Sequence, residues 1–414
     1  MLTTLLFRLK ALNFYSSAST ENNEYELRNE NISTRIFLIL WIISIVIIIY
    51  TAQVSVTNTI DVKEPSFEQF QLLSSRYSET LHCPCDNVAI PHRTFIDLKP
   101  RFHQLCTSDF IEQDWIDHLR SAADQYVSSD FSYTGAFIFQ TLASFCQLTN
   151  ETISNALQTF ISTPYITAEV IAENFLIEEV NAIIQNFQLS TEFIPYLMVN
   201  LIHLSTGGNQ LVSGLLSNAE LIVDDMSGIG FLEARGFNND TCFCEGLNSC
   251  VEVLTLADRR GIETIFTIPG LYKGCYITQA VLQSSMECFY QNACISKIEN
   301  FLQAPLSLSS PILPLNSSTK SRFNSSSTID QLLSKAMTEE WISNISYAQY
   351  FDRCHASACT YLITSRLNLI YIITTLIGLI GGLTKILFSL VHPIVKFIRR
   401  RFVPPPILVT DVRK

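Results

Sequence analysis

The stretch RIFLILWIISIVIIIYTAQVSV, residues 35–56, and its counterpart LNLIYIITTLIGLIGGLTKILFSLV, residues 367–391, decide how this chain is built. A hydrocarbon core about 30 Å thick takes roughly 20 apolar residues of helix, and both stretches qualify. Every cysteine of the chain, twelve in all, lies between them. Disulfides persist where the compartment is oxidising. The sequence therefore predicts an α+β membrane protein, with two transmembrane helices flanking a large disulfide-rich extracellular domain. Its expected parts are a cytoplasmic tail (1–35), helix one (36–54), the ectodomain (55–366), helix two (367–391) and a basic cytoplasmic tail (392–414).

Charge sets the orientation. Arg8, Lys10, Arg28 and Arg35 precede the first segment, and Lys396, Arg399, Arg400, Arg401, Arg413 and Lys414 follow the second. Basic flanks stay cytoplasmic, which places both termini inside and the protein at the plasma membrane. The first segment begins only after 35 residues and lacks an A-x-A site, so it reads as an uncleaved anchor rather than a signal peptide. Sequons at Asn150, Asn239, Asn316, Asn324 and Asn344 fall in the loop and are expected to be glycosylated. A sixth, at Asn31, falls on the wrong side to be used.

Of 38 acidic residues 33 lie between Ala52 and Arg366, against 16 of 27 basic ones, which gives that loop a charge of −17. Ser121 to Ala234 holds no Lys or Arg but 12 acidic residues. Nucleic acid is excluded as a partner, because its phosphates require the opposite sign. Cations or a basic extracellular ligand suit the charge, as does plain solubility.

Within the loop, residues 56–85 suggest an extended stretch and then a helix, and CPCDNVAIPHRTFIDLKP suggests strands. Residues 109–234 read as an acidic helical subdomain of four or five helices. Asp109 with Glu112 is its expected cap, and Phe110, Trp115, Ile116 and Leu119 its first apolar stripe. STEFIPYLMVNLIHL and GNQLVSGLLSNAEL read as two further short helices. Residues 242–294 form a cysteine-rich module containing the β-prone IETIFTIPG, and 303–328 an exposed Ser/Pro/Asn-rich glycosylated loop. Thr328 with Gln331 forms a capping box for a helix through about Met337.

No catalytic motif occurs. There is no G-x-S-x-G, P-loop or H-E-x-x-H, and Asp224-Asp225 are neighbours that point apart. The chain reads as a non-enzyme, with no cofactor. His82, Cys83, Cys85, His92, His103 and Cys106 are zinc-type ligands at close spacing, but an even cysteine count in an oxidising compartment favours disulfides. The expected bonded set is Cys83, Cys85, Cys106, Cys146, Cys242, Cys244, Cys250, Cys275, Cys288, Cys294, Cys354 and Cys359. Connectivity stays open, with Cys354–Cys359 and a Cys83 or Cys85 bond to Cys106 as plausible pairs. In the second segment, Gly378, Gly381 and Gly382 make a small-residue face suited to helix packing or to lining a pore, with Thr384 beside it. Lys385 lies near enough to the cytoplasmic headgroups to snorkel.

The words LHCPC, RFHQLCTSDF, GNQLVSGL, PGLYKGCY, CHASACTY and GGLTKIL resemble a cysteine-rich group of two-pass membrane proteins of invertebrates, a group that carries no function over. In outline the chain also resembles the degenerin/epithelial sodium channel family. Cys354, Cys359 and Tyr361 would stand in that family's Cys–Tyr segment, and Gly378, Gly381 and Gly382 in its glycine-bearing second helix. The G-x-S selectivity stretch is missing, and Lys385 stands where that family has an acidic residue. The resemblance implies a homo-oligomer, a trimer if the protein is channel-like. The expectation is a glycosylated surface protein of channel-like or receptor type. The alternative is a ligand-binding or adhesion protein without a pore.

Overall fold

The structure, a computed structural model, describes residues 12–16, 24–52, 56–123, 130–224, 228–257, 263–302, 304, 306–365 and 369–402. Asp225, Arg8, Lys10, Arg413, Lys414 and the Leu367-Asn368 start of the second apolar segment lie outside them. The chain divides into two compact units, Met1–Lys63 with Leu72–His82 and Ala358–Lys414, and Glu64–Gln71 with Cys83–Ser357.

In the first unit, two helices long and apolar enough to cross a membrane pack together. The first runs Glu24–Ala52, about 44 Å at 1.5 Å per residue, and starts twelve residues before the apolar run. Its polar beginning is buried: Asn29, Glu30, Ser33 and Thr34 are inaccessible. The second runs Leu369–Phe402 and continues through Pro393. Contacts of Ser33 with His392, Phe37 with Phe388 and Trp41 with Thr384 advance four residues along one helix as they retreat about four along the other. The helices are therefore antiparallel. Strand Val56–Lys63, which follows the first helix in the chain, pairs antiparallel with strand Ala358–Ser365, which precedes the second. Tyr77 stacks on Tyr361 beside this ladder at 4.4 Å.

The second unit is built on long helices rather than sheets; the sheets among the described residues are all two-stranded. Where four or five helices are expected between 109 and 234, three span the described residues: Gln113–Ala123, Phe131–Ser162 and Glu173–Gly208. STEFIPYLMVNLIHL is the second half of the last helix, which runs through Pro195 because its neighbours hold that face buried. GNQLVSGLLSNAEL is not helical; it turns at Leu216, in the left-handed region, and enters strand Ala219–Val223. Asp109 does not cap a helix. It sits in a 3-10 turn, and its carboxylate accepts from the Leu313 backbone N–H at 3.2 Å.

Phe110, Trp115, Phe139 and Phe289 form the centre of the core, with Phe289 5.0 Å from Phe110 and 5.1 Å from Phe139. The expected stripe Phe110, Trp115, Ile116 and Leu119 is buried there. Strand Ile96–Phe102 pairs antiparallel with Thr338–Ile345. Strand Val251–Ala257 pairs with Thr264–Gly274, whose register shifts between Thr267 and Tyr272. Gly270 sits in that irregularity at φ +82°, and a Cβ there would strike Ser285. The 303–328 segment, expected as an exposed connection, is largely exposed among its described residues, but its first half is also strapped to the core. Gln104, Asp109, Asp114 and Ser121 accept from the backbone N–H groups of Asn316, Leu313, Ser309 and Leu306. Ile312 and Leu315 of the strap are buried. The capping box at Thr328 and Gln331 is present, but its helix, Ile329–Leu333, ends four residues before Met337.

Candidate functional site

The cysteines settle first, because they fix what else is available. All twelve are disulfide-bonded. Cys85 bonds Cys354, Cys106 bonds Cys146, Cys242 bonds Cys250, Cys244 bonds Cys275 and Cys288 bonds Cys294. The expected Cys354–Cys359 bond and a bond from Cys83 or Cys85 to Cys106 are therefore wrong. Near neighbours in sequence lose to partners 269 and 40 residues away because folded strands and helices bring those together. Zinc at residues 82–106 is contradicted, since Cys83, Cys85 and Cys106 are all oxidised. His92 and His103 are instead buried structural groups: His92 Nδ1 pairs with the Phe160 carbonyl at 2.9 Å, and His103 Nδ1 accepts from the Leu105 N–H. Burial pulls both imidazoles below their ordinary value. Among the described residues no group of three or more His, Cys, Asp or Glu side chains is arranged to hold a metal ion.

In the helix pair, Trp41 Nε1 donates to Thr384 Oγ1 at 3.1 Å, which turns Thr384 toward the first helix. Lys396 pairs with Glu26 at 2.8 Å, and Arg399 donates to Asn29 Oδ1 at 2.7 Å. Tyr15 stacks on Phe388 and His392. These contacts clasp the helices near one end. Gly378, Gly381 and Gly382 take no part, and a Cβ added to any of them would meet nothing within 4 Å. Lys385, also exposed, lies on the helix beside them. Among the described residues, nothing packs against the glycine face.

Two of the cavities among the described residues lie in the second unit. One, of about 120 Å³, is lined by Glu220, Arg235, Glu252 and Lys273, with Arg235–Glu220 at 3.4 Å and Lys273–Glu252 at 3.5 Å. Its charges answer each other. The other, of about 390 Å³, is lined by Asn200, His203, Ser249, Gln279, Leu282, Gln283, Thr328 and Asp330. Long helix Glu173–Gly208, short helix Ile277–Gln283 and the Thr328 cap meet there. Gln279 is 3% exposed, and neither its amide nitrogen nor its amide oxygen has a hydrogen-bond partner among the described residues. His203 Nδ1 is likewise buried and unpartnered. Burial raises the Asp330 carboxyl above its ordinary value. None of these residues forms a sequence motif. Gln279 lies within YITQAVLQ, where only the tertiary placement of its helix reveals a buried amide.

The remaining feature is an apolar surface. Leu189, Phe193, Leu197 and Leu201 step by four along helix Glu173–Gly208, each at least half exposed. Glu192, Pro195 and Val199 face the interior. Strands Ala219–Val223 and Gly230–Ala234 add exposed Leu221, Val223, Phe231 and Leu232. In the sequence this stripe is indistinguishable from a core-facing one. All five loop sequon asparagines are exposed. Comparison with protein-family models, curated proteins and solved structures found no match for the chain.

Proposed function

We propose that the chain is a two-pass, membrane-anchored surface receptor that works as an oligomer. The observation that carries this reading is the exposed stripe Leu189, Phe193, Leu197 and Leu201 on a disulfide-bonded domain. A contiguous apolar surface of this kind on a secreted-type domain marks a place where another protein surface is bound. Two apolar helices, twelve oxidised cysteines between them and five exposed sequons support an extracellular or lumenal ectodomain. Mild cross-linking of the detergent-solubilised, deglycosylated full chain tests it. A defined oligomer is expected, and Leu197→Asp with Leu201→Asp should dissociate it. A wild-type monomer overturns the reading.

A channel is the second reading, favoured by the open glycine face of the second helix. With nothing among the described residues packed on Gly378, Gly381 and Gly382, copies of this helix have room to approach one another around a pore. Single cysteines at 378 or 381 should then react with hydrophilic thiol reagents, whereas Thr384→Cys, facing Trp41, should react poorly. Protection of positions 378 and 381 leaves the receptor without a pore.

A further inference from the structure

The cavity around Gln279 has the properties of a ligand site rather than of a packing defect. Its volume, about 390 Å³, falls within the range of small-molecule pockets. Seven of its eight lining residues are polar, and three of them are primary amides: Asn200, Gln279 and Gln283. A buried amide without partners costs about 1–3 kcal/mol for each unsatisfied group. Gln279 leaves both a donor and an acceptor unsatisfied, and His203 adds a third atom on the neighbouring helix. A pair of leucines would have filled the same space more stably, so the chemistry of the lining needs a reason.

The lining also selects its ligand. Amides and the Ser249 and Thr328 hydroxyls each offer donors and acceptors, and a hydroxyl-bearing ligand answers both at once. Asp330 is the one carboxylate, and no Lys or Arg lines the cavity. An anionic ligand would meet no Lys or Arg in the lining, whereas a cationic one would meet the Asp330 carboxylate. We propose that the cavity bounded by Asn200, His203, Gln279 and Asp330 binds a small hydroxylated amine, its hydroxyls held by the amides and its ammonium by Asp330. This rests on the receptor reading only for the compartment in which the ligand is met.

The test uses the full-length protein in detergent and three probes of one shape and different charge: glucosamine as its ammonium form, glucose and glucuronate. Titration calorimetry, or saturation-transfer NMR for weak binding, is carried to about 10 mM, a range suited to ligands of about a dozen heavy atoms. Glucosamine should bind saturably, glucose about tenfold more weakly for want of the ion pair, and glucuronate not at all. Asp330→Asn should abolish the difference between glucosamine and glucose. Gln279→Leu should abolish binding of both while the melting temperature holds or rises, which separates lost recognition from lost folding. Absence of saturable glucosamine binding, equal binding of all three probes, or binding unchanged in Gln279→Leu overturns the proposal. Cross-linking on the same samples reports the oligomer independently, so failure of the ligand site and failure of the receptor assembly are told apart.

Discussion

Glu192 offers the sharpest test of the energetics of the second unit. It is buried, and its Oε1 accepts from Trp341 Nε1 at 2.9 Å and Thr338 Oγ1 at 3.0 Å, with Arg322 Nη2 at 3.5 Å. Glu192→Ala does not cost the sum of three bonds. Thr338 can turn its hydroxyl to the Lys335 carbonyl at 2.8 Å, and Arg322, about a third exposed, keeps Thr338 and Lys335 as partners. Trp341 Nε1 is the donor left stranded, at about 1–3 kcal/mol. Removal of the one Glu192 methylene that alanine lacks, Cγ, adds about 0.8 kcal/mol. The expected loss is about 2–4 kcal/mol, toward the low side of the 3–5 kcal/mol of a fully broken buried pair because water reaches Arg322. Glu192→Gln keeps the acceptor and loses the charge, and should cost about 1 kcal/mol. Thermal unfolding of the full chain in detergent, followed by tryptophan fluorescence, is the assay; Trp341 is one of three tryptophans and reports from the site itself. Equal losses for Ala and Gln would refute the hydrogen-bond account in favour of a pure charge effect. A loss under about 0.5 kcal/mol for Ala would show the network to be ornamental.

Other outcomes are equally open to measurement. Asp130 caps helix Phe131–Ser162 through the Tyr133 N–H and accepts from the buried Ala257 N–H at 3.0 Å. Asp130→Ala should lose about 2–4 kcal/mol in denaturant titrations, with Asn costing less because burial already raises the Asp130 carboxyl. Removal of Cys106–Cys146, which closes 40 residues, should cost about 4 kcal/mol, against about 2 kcal/mol for Cys288–Cys294, which closes 6. A reversed order in matched double-alanine variants would refute the loop-entropy argument. His103 is held neutral by burial, so its folded pKa lies below the unfolded value of about 6.5. As pH falls below about 6.5 the unfolded chain takes up that proton first, and stability drops by up to about 1.4 kcal/mol per pH unit until the folded pKa is reached. His103→Gln should flatten the fall in melting temperature between neutral and mildly acidic pH. The exposed His355–Asp86 pair at 3.0 Å acts in the opposite sense. Asp86 raises the imidazole, so its contribution is present below about pH 6.5 and is lost as pH rises through the elevated folded value. In His355→Asn the melting temperature should respond less to pH on that side.

What the sequence determined by itself was whatever local pattern decides. A run of about twenty apolar residues favours a long apolar helix, and an even set of cysteines between two such runs favours disulfides over metal ligands. The Thr328 capping box, the strands around Ile96 and Thr264 and the buried stripe Phe110–Leu119 were legible because a cap, a β-prone run and an apolar periodicity are each written in a few consecutive residues, even where the strand from Ile96 finds its partner only at Thr338–Ile345. Tertiary structure decided the rest. Disulfide partners are chosen by the meeting of distant elements, so Cys354 joins Cys85 rather than its neighbour Cys359. A leucine stripe looks the same whether it faces a core or solvent, and only the burial of Glu192 and Val199 shows which side of helix Glu173–Gly208 is outside. Whether Gly378 meets a neighbouring helix depends on how that helix is rotated, and Thr384, held by Trp41, takes the inward place instead. Gln279 carries no motif at all; its meaning comes entirely from a helix, a cap and a long neighbouring helix closing around an amide left without a partner among the described residues.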